Sequence, residues 1–372
     1  MVRNMVKVAV GAVALLGLGA GVANAATLSA AAPTWTSVFP YGIHQDVTAV
    51  TTVMYGSGKT AEFAFTYNGD HPLMYSRSDN ESWGLDSVTG AESHEVVVSA
   101  KAIGPNQVLL FTQINGGRGG GRVIEYTAIR EQTPGGYVTG AKFTVLKTFG
   151  AGIGSASVLS ASNVWVFGSA TAGEGSLGVW HYNGKTWTQV SKTFTNGSAV
   201  SSTDVWAASG TTLEHYNGSK WTATSVAGLL TSKNATISTI FSGGGGAPYA
   251  IVSENAKAAG GGGPVVVLEY NGHQWVKVAS YASGSAVPGA AAADGAAGLW
   301  FSVSEGANQP ARLLHFANAH HTLTAVTISG LTNNAAGSAI SSIAQIGYTK
   351  ELIGADINHT TSTPTASVYS LS

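Results

Sequence analysis

The sequence predicts an all-β fold built from repeats of four short strands. The first observation is a cue, Asn-Gly-x-x-Trp, that follows a strand ending in Tyr three times, at Asn183, Asn217 and Asn271. An Asn-Gly pair suits the two positive-φ positions of a two-residue type I′ hairpin, so each cue predicts a tight hairpin. The second observation is that short strand-like segments alternate with Gly-rich turns, and no helical period follows the first 25 residues.

The third observation is that two segments align residue by residue. Segment 162–191 contains N-V-W-V-F-G and then V-W-H-Y-N-G, and segment 203–226 contains D-V-W-A-A-S-G and then L-E-H-Y-N-G. Each reads as four strands: one of small residues, one with Val-Trp, one ending in His-Tyr, and one that begins with Trp. Weaker copies occur at 60–83, 108–145, 249–275, 299–316 and 352–369. Repetition at a near-constant spacing indicates a repeat architecture.

The two ends of the chain complement each other. The copy at 352–369 ends before any Trp strand, whereas the strand around Trp35 has no preceding strands of its own. Seven copies in about 350 residues give about 50 residues per copy, close to the larger propeller repeats. The sequence therefore predicts a seven-bladed β-propeller of four-stranded blades, closed by the N-terminal strand completing the last blade. An open β-solenoid or two β-sandwiches are the alternatives, but a solenoid needs capping ends and regular short turns.

The D-V-W-A strand followed by H-Y-N-G-x-x-W-T resembles secreted bacterial β-propeller repeats, especially actinobacterial ones, and more distantly kelch and galactose-oxidase-type propellers. Segments 162–191 and 203–226 carry the resemblance well, and 265–278 carries it in part. The motif implies blade geometry and no catalytic residue. A galactose-oxidase-type copper site would imply a Tyr crosslinked to Cys, and the chain contains no Cys.

Residues 1–25 are predicted to be a secretory signal peptide, because basic Arg3 and Lys7 precede a 15-residue apolar run and an Ala-Asn-Ala cleavage site. A retained N-terminal anchor is the alternative. Cleavage would leave 26–372 as a single propeller domain, secreted and without a membrane span. Its 16 basic and 19 acidic side chains show no basic excess, which disfavours nucleic-acid binding.

In such a ring, the loops between second and third strands and those between blades emerge on one face, where binding residues concentrate. The sequence predicts that polar residues of this face contact a ligand: Arg118, Arg122, Glu174, Glu254, Lys257, Glu305, Gln309, Arg312, His44 and Asp46. No catalytic residue, metal site or cofactor is predicted. His181, His215 and His315 share one repeat position and are interpreted as structural. Trp165, Trp206 and Trp300 are interpreted as packing between blades, with sugar stacking as the alternative.

These observations favour a non-enzymatic secreted propeller that binds a glycan, a cell-wall polymer or a protein. Two alternatives stay open. One is an extracellular polysaccharide hydrolase or lyase, whose carboxylate pair would not be visible as a local motif. The other is a structural, self-associating surface protein, suggested by charged residues that make up only 10% of the chain.

Overall fold

The computed structural model has an all-β architecture within one compact unit, Thr34–Ser372. The predicted signal peptide, 1–25, lies outside the described residues. The structure describes residues 35–38, 45–55, 59–78, 82–104, 106–114, 119–133, 136–168, 177–194, 196–242, 247–255, 263–294, 297–305, 311–326, 328, 339–346, 350–357 and 365–371.

Blades 1 to 3 are antiparallel sheets, each made of four consecutive strands. Blade 1 contains β2 (Asp46–Tyr55), β3 (Lys59–Tyr67), β4 (Pro72–Ser78) and β5 (Gly84–Ser87). Blade 2 contains β6 (Glu95–Gly104), β7 (Gln107–Ile114), β8 (Gly121–Thr133) and β9 (Gly136–Phe149). Blade 3 contains β10 (Ile153–Ser160), β11 (Asn163–Gly168), β12 (Val179–Tyr182) and β13 (Trp187–Ser191).

Blades 4 to 6 repeat this arrangement. Blade 4 contains β14 (Asn196–Ser201), β15 (Asp204–Ser209), β16 (Thr212–Tyr216) and β17 (Trp221–Ser225). Blade 5 contains β18 (Thr236–Ser242), β19 (Pro248–Ser253), β20 (Val265–Tyr270) and β21 (Trp275–Tyr281). Blade 6 contains β22 (Val287–Ala293), β23 (Leu299–Ser304), β24 (Arg312–Ala317) and β25 (Thr322–Val326). Two short 3-10 helices, Ala227–Leu229 and Asn318–His320, lie between strands.

A further four-stranded sheet, here called the composite sheet, joins the two ends of the chain. It contains β26 (Ala339–Ile346), β27 (Lys350–Ile357) and β28 (Thr365–Leu371), with β1 (Trp35–Ser37) paired antiparallel to β28. Blades formed wholly from consecutive strands therefore number six. The predicted count of seven is corrected to six continuous blades plus this composite sheet, because the described fourth strand of that sheet comes from the opposite end of the chain.

The sheets surround a central axis. The first strand of each sheet lies beside the first strand of the next, and β26 of the composite sheet lies beside β2 of blade 1. Serine hydroxyls connect neighbouring first strands: Ser157 Oγ accepts from Ala199 N at 3.0 Å, and Ser342 Oγ accepts from Val50 N at 3.0 Å. Such neutral hydrogen bonds hold the ring together in a chain that has no disulfide.

The Trp residues of the second strands fill the space between blades. Trp206 is buried, stacks on His215 at 4.2 Å between ring centroids, and packs in one cluster with Ile237 of blade 5. Asp204 Oδ1 accepts from Trp206 Nε1 at 2.8 Å and lies 2.9 Å from His215 Nε2. Trp165–His181 and Trp300–His315 repeat the stack, at 4.2 and 4.1 Å. These contacts agree with the structural interpretation of the His and Trp positions.

The Asn-Gly hairpins differ from the predicted two-residue turns. Tyr216 pairs with Trp221, so four residues lie between the paired positions. Only Gly218 has positive φ, and Asn217 Oδ1 accepts from the N–H groups of Ser219 and Lys220, both at 3.1 Å. The loops that begin at Asn183 and Asn271 have the same hydrogen bonds. An Asn side chain that replaces a backbone acceptor explains why the type I′ prediction is wrong.

Candidate functional site

One face of the ring carries the loops between second and third strands and the segments that lead into each blade. We call it the loop face, and the opposite face, with the three Asn-Gly hairpins, the hairpin face. Backbone hydrogen bonds connect the two kinds of segment: His94 N donates to Asp70 O at 2.6 Å, and Ile237 N donates to Gly210 O at 2.9 Å. Through these bonds, the second-to-third-strand loops of blades 1 and 4 lie against the segments that lead into blades 2 and 5.

The predicted ligand contacts divide into two groups. One group lies outside the described residues: His44, Arg118, Glu174, Lys257 and Gln309. The other group is described and lies on the loop face: Asp46, Arg122, Glu254, Glu305 and Arg312. Their roles as ligand contacts stay predictions, but the structure gives the described ones internal partners or places them at strand ends.

Arg122 forms a buried ion pair with Glu95, whose side chain is fully buried. Arg122 Nε donates to Glu95 Oε1 at 2.9 Å, and Nη2 donates to Glu95 Oε2 and to Gly90 O. Burial opposes the charge of Arg122, but the hydrogen bonds and negative charges of Glu95 and Glu92 outweigh it and raise the pKa of Arg122. Arg122 therefore fixes the segment that leads into blade 2.

Three other predicted contacts serve similar internal roles. Glu254 is buried and accepts from Thr231 N and Thr231 Oγ1, both at 2.7 Å. Arg312 Nε donates to Glu305 Oε2 at 2.7 Å. Burial works against ionisation of Glu305, but hydrogen bonds, the strongest from Arg312, outweigh it and lower the pKa of Glu305. These pairs fasten loops of blades 5 and 6.

Asp46 begins β2, and its Oδ1 atom is buried without a hydrogen-bond partner among the described residues. Gln45, the preceding residue, accepts from Thr66 Oγ1 at 2.6 Å. This end of blade 1 therefore contains a carboxylate oxygen whose acceptor capacity no described residue uses, next to residues 39–44, which lie outside the described part of the chain.

The loop face also carries a compact group of polar side chains, here called the Asp70 surface: Tyr67, Asp70, His71, Ser93 and His94. Asp70 Oδ1 accepts from Ser93 Oγ at 2.5 Å, and Asp70 Oδ2 lies 3.2 Å from His71 Nε2. Tyr67 OH lies 3.3 Å from His94 Nδ1. The Ser93 hydrogen bond is the main reason why the pKa of Asp70 lies below its usual value. Asp70, His71 and His94 are exposed to solvent.

The Asp70 surface rests on the Arg122–Glu95 pair. His71 Nδ1 lies 3.3 Å from Glu92 O, and the Glu92 carboxylate lies 3.5 Å from Arg122 Nη1. Glu92 N also donates to Glu95 Oε2 at 2.7 Å. Arg122 thus lies beneath the Asp70 surface and is connected to it through Glu92.

Asp70 and His71 are not among the ligand contacts that the sequence predicts. The signal was present, because Tyr67-Asn68-Gly69 repeats the Tyr-Asn-Gly cue. Asn68 Oδ1 accepts from Asp70 N at 2.9 Å and from His71 N at 2.8 Å, as in the hairpin-face loops. In blade 1 this loop connects the second and third strands, so it displays its third and fourth residues on the loop face.

Within the described ranges, no three His, Asp or Glu side chains converge in a way that could hold a metal ion. In the same part of the chain, no helix is long and apolar enough to cross a membrane.

No protein-family model matches the chain, and no curated protein matches its sequence. Among solved structures, the Trypanosoma rangeli sialidase is similar over 88% of this chain and 55% of its own, with 11% identity and a TM-score of 0.44. The chain thus spans about half the length of that sialidase. A fungal lectin, Aleuria aurantia lectin, is similar over 87% of this chain and 91% of its own, with 11% identity and a TM-score of 0.43.

The lectin is a six-bladed β-propeller that recognises fucose. At these identities such similarities concern the fold alone. The four-stranded antiparallel sheets around a common axis place this chain in the same class of fold, the β-propellers.

Proposed function

We propose that this chain is a secreted, non-enzymatic β-propeller that binds an extracellular glycan through its loop face. The observation that carries the proposal is the Asp70 surface, where a carboxylate, two imidazoles and a phenol converge. Carboxylate oxygens accept hydrogen bonds, and imidazole nitrogens donate or accept according to their protonation, so the group can pair with neighbouring sugar hydroxyls. The Tyr67 ring adds an amphipathic aromatic side chain beside them.

The hydrogen bonds within the surface support binding as well. Asp70 is held by Ser93, His71 contacts both Asp70 and Glu92, and the supporting Glu95–Arg122 pair is buried. Side chains that are already ordered lose less conformational entropy when a ligand docks. The predicted contacts at His44, Arg118, Glu174, Lys257 and Gln309 would extend the same face.

The exposed apolar side chains give no support to the self-association alternative. The large hydrophobic side chains exposed among the described residues are Leu85, Val145, Leu159 and Val287, on four different strands. Single exposed hydrophobic residues are normal on soluble proteins, whereas interaction sites present contiguous apolar patches.

The proposal is tested by replacing Asp70 with Asn and His71 with Ala, each in the purified chain. We expect each variant to weaken binding on a glycan array by about ten- to hundredfold, because one charged hydrogen bond contributes about 1.5–3 kcal/mol. The matched control is His273→Ala, which removes an exposed His from the equivalent loop of the hairpin face.

Retention of wild-type glycan binding by both loop-face variants would contradict the proposal, as would an equal loss in His273→Ala. Thermal melts of all three proteins separate loss of binding from loss of folding. Solvent-exposed substitutions of this kind change the free energy of unfolding by about 0.5 kcal/mol or less.

A further inference from the structure

The axis of the ring contains a cavity of about 390 Å³ that is separate from the Asp70 surface. Its walls come from the first strands of six sheets, β6, β10, β14, β18, β22 and β26. Ligand pockets have volumes of roughly 300–1,000 Å³, so this cavity lies at the small end of that range. The size favours a compact ligand over a polymer that threads the ring.

Lys101 of β6 is the only charged side chain among the described residues that line this cavity. No described residue forms an ion pair or hydrogen bond with its ammonium group. Burial lowers the pKa of Lys101, because a poorly hydrated site disfavours the cation. An anion that enters the cavity would relieve this cost, because a nearby opposite charge favours the charged form of the lysine.

The surroundings of Lys101 contain no competing anion among the described cavity-lining residues. On its own strand, Val98 and Ser99 also line the cavity. Across the gap to blade 3, the lining residues are Gly154, Ser155, Ala156, Ser157, Val158 and Leu159. Within its own sheet, Lys101 pairs with Leu109, and Leu109 pairs with Glu125. Glu125 is therefore two strands farther out, where it accepts from Gln107 Nε2 at 3.2 Å. Within the described part of the chain, no side chain compensates the positive charge in the cavity.

The remaining wall is rich in hydroxyl groups. Lining residues with a hydroxyl are Ser99, Ser155, Ser157, Ser198, Thr239, Ser242 and Ser342. Some of these hydroxyls already connect blades, as Ser198 Oγ and Ser242 Oγ do at 2.9 Å. Each hydroxyl has one donor and two acceptor positions, so a single hydrogen bond leaves capacity for a ligand. A hydroxylated ligand would therefore find partners on several sides.

We propose that the central cavity binds a small hydroxylated carboxylate, a sugar acid of one ring, with its carboxylate at Lys101 Nζ. The ring hydroxyls of the ligand would face the Ser and Thr groups of the neighbouring first strands. The apolar lining residues, among them Ile240, Phe241 and Ile343, offer surface to the carbon skeleton. This site requires no role for the loop face and stands independently of it.

The test is calorimetric titration of the full chain, at low ionic strength, with three probes. Sodium glucuronate supplies the ring and the carboxylate, methyl glucoside supplies the ring alone, and sodium acetate supplies the carboxylate alone. We expect glucuronate to bind about ten- to hundredfold more tightly than either partial probe, as expected for one charge-assisted hydrogen bond combined with ring contacts. Equal affinity for acetate and glucuronate would contradict the sugar-acid assignment.

The variant that tests the role of Lys101 is Lys101→Met, which keeps most of the side-chain length and removes the charge. Glucuronate affinity should fall about ten- to hundredfold. Lys277→Met is the matched control, because Lys277 is exposed on β21, outside the cavity-lining set. An unchanged affinity in Lys101→Met, or an equal loss in Lys277→Met, would overturn the proposal.

Folding of Lys101→Met is checked by its thermal midpoint. Removal of an unpaired, half-buried cation should leave the midpoint equal to or above that of the wild-type chain. At the same glucuronate concentration, the midpoint of the wild-type chain should rise more than that of Lys101→Met. A shift of the same size in both proteins would also count against the assignment.

Discussion

Replacing Arg122 with Met is expected to destabilise the chain by about 3–5 kcal/mol, because it leaves the Glu95 carboxylate buried without its partner. Glu95 has no solvent exposure, and the Arg122 side chain is 6% exposed. Denaturant unfolding of the variant and of the wild-type chain measures this loss. Because the same pair supports the Asp70 surface, glycan binding should also weaken in the variant at temperatures where it is folded.

The control for this prediction is Arg312→Met, which also breaks an Arg–Glu pair of the loop face. The Arg312 side chain is 45% exposed, and exposed pairs contribute about 0–1 kcal/mol. The two variants therefore remove the same kind of ion pair, and they differ mainly in how deeply that pair is buried. A loss of less than about 1 kcal/mol in Arg122→Met, similar to that in Arg312→Met, would show that the buried pair is not formed.

Replacing Trp35 with Ala is expected to cost about 3–5 kcal/mol, the range for truncation of a buried aromatic side chain. Trp35 is 5% exposed, and its ring meets Trp300 of blade 6 edge-to-face at 5.8 Å. The loss should appear in equilibrium unfolding. A three-residue strand near a chain end usually contributes little to stability when it is not docked. A loss of this size would therefore indicate that β1 is docked.

The matched control is Trp275→Ala in a continuous blade. Trp275 is 4% exposed and meets Trp206 of the preceding blade edge-to-face at 5.1 Å. If β1 is as firmly docked as β21, the two variants should lose similar free energies of unfolding. A near-zero loss in Trp35→Ala beside a large loss in Trp275→Ala would mean that β1 does not dock.

The four-stranded architecture was predictable because the same sequence pattern, and so the same local geometry, occurs several times along the chain. The His-Tyr-Asn-Gly segments and the unpaired Trp strand at residue 35 identified four-stranded units and the partner for the last of them. The blade count required correction to six continuous blades plus the composite sheet. The turn type was also wrong, since the hydrogen bonds of the Asn217 side chain depend on loop geometry that the dipeptide alone does not specify.

The candidate sites were less predictable because they depend on contacts between distant residues. Arg122 and Glu95 are 27 residues apart, and neither carries a motif that reveals the buried pair. Lys101 looks like an ordinary strand residue until six first strands surround the axis. Asp70 could have been found, because its loop repeats the Asn-Gly cue with different neighbours. In each case the chemistry arises from packing, which a local pattern does not encode.

Closure of the ring determines whether the central cavity exists, and a crosslink tests it most directly. Thr36 of β1 and Ser370 of β28 are register partners, and paired antiparallel residues have Cα atoms about 4.5–5.5 Å apart, within the range that a disulfide spans. The natural chain has no Cys, so Thr36→Cys with Ser370→Cys introduces the only pair. Thr36→Cys with Ser225→Cys, on β17 of blade 4, is the unpaired control.

The measurement is the disulfide content of the oxidised monomer, by mass spectrometry and non-reducing electrophoresis, with thermal melts before and after reduction. The closed ring predicts an intramolecular disulfide between positions 36 and 370, a higher melting midpoint that reduction reverses, and free thiols in the control. A folded monomer that keeps both thiols free at 36 and 370 would contradict closure, and with it the cavity around Lys101.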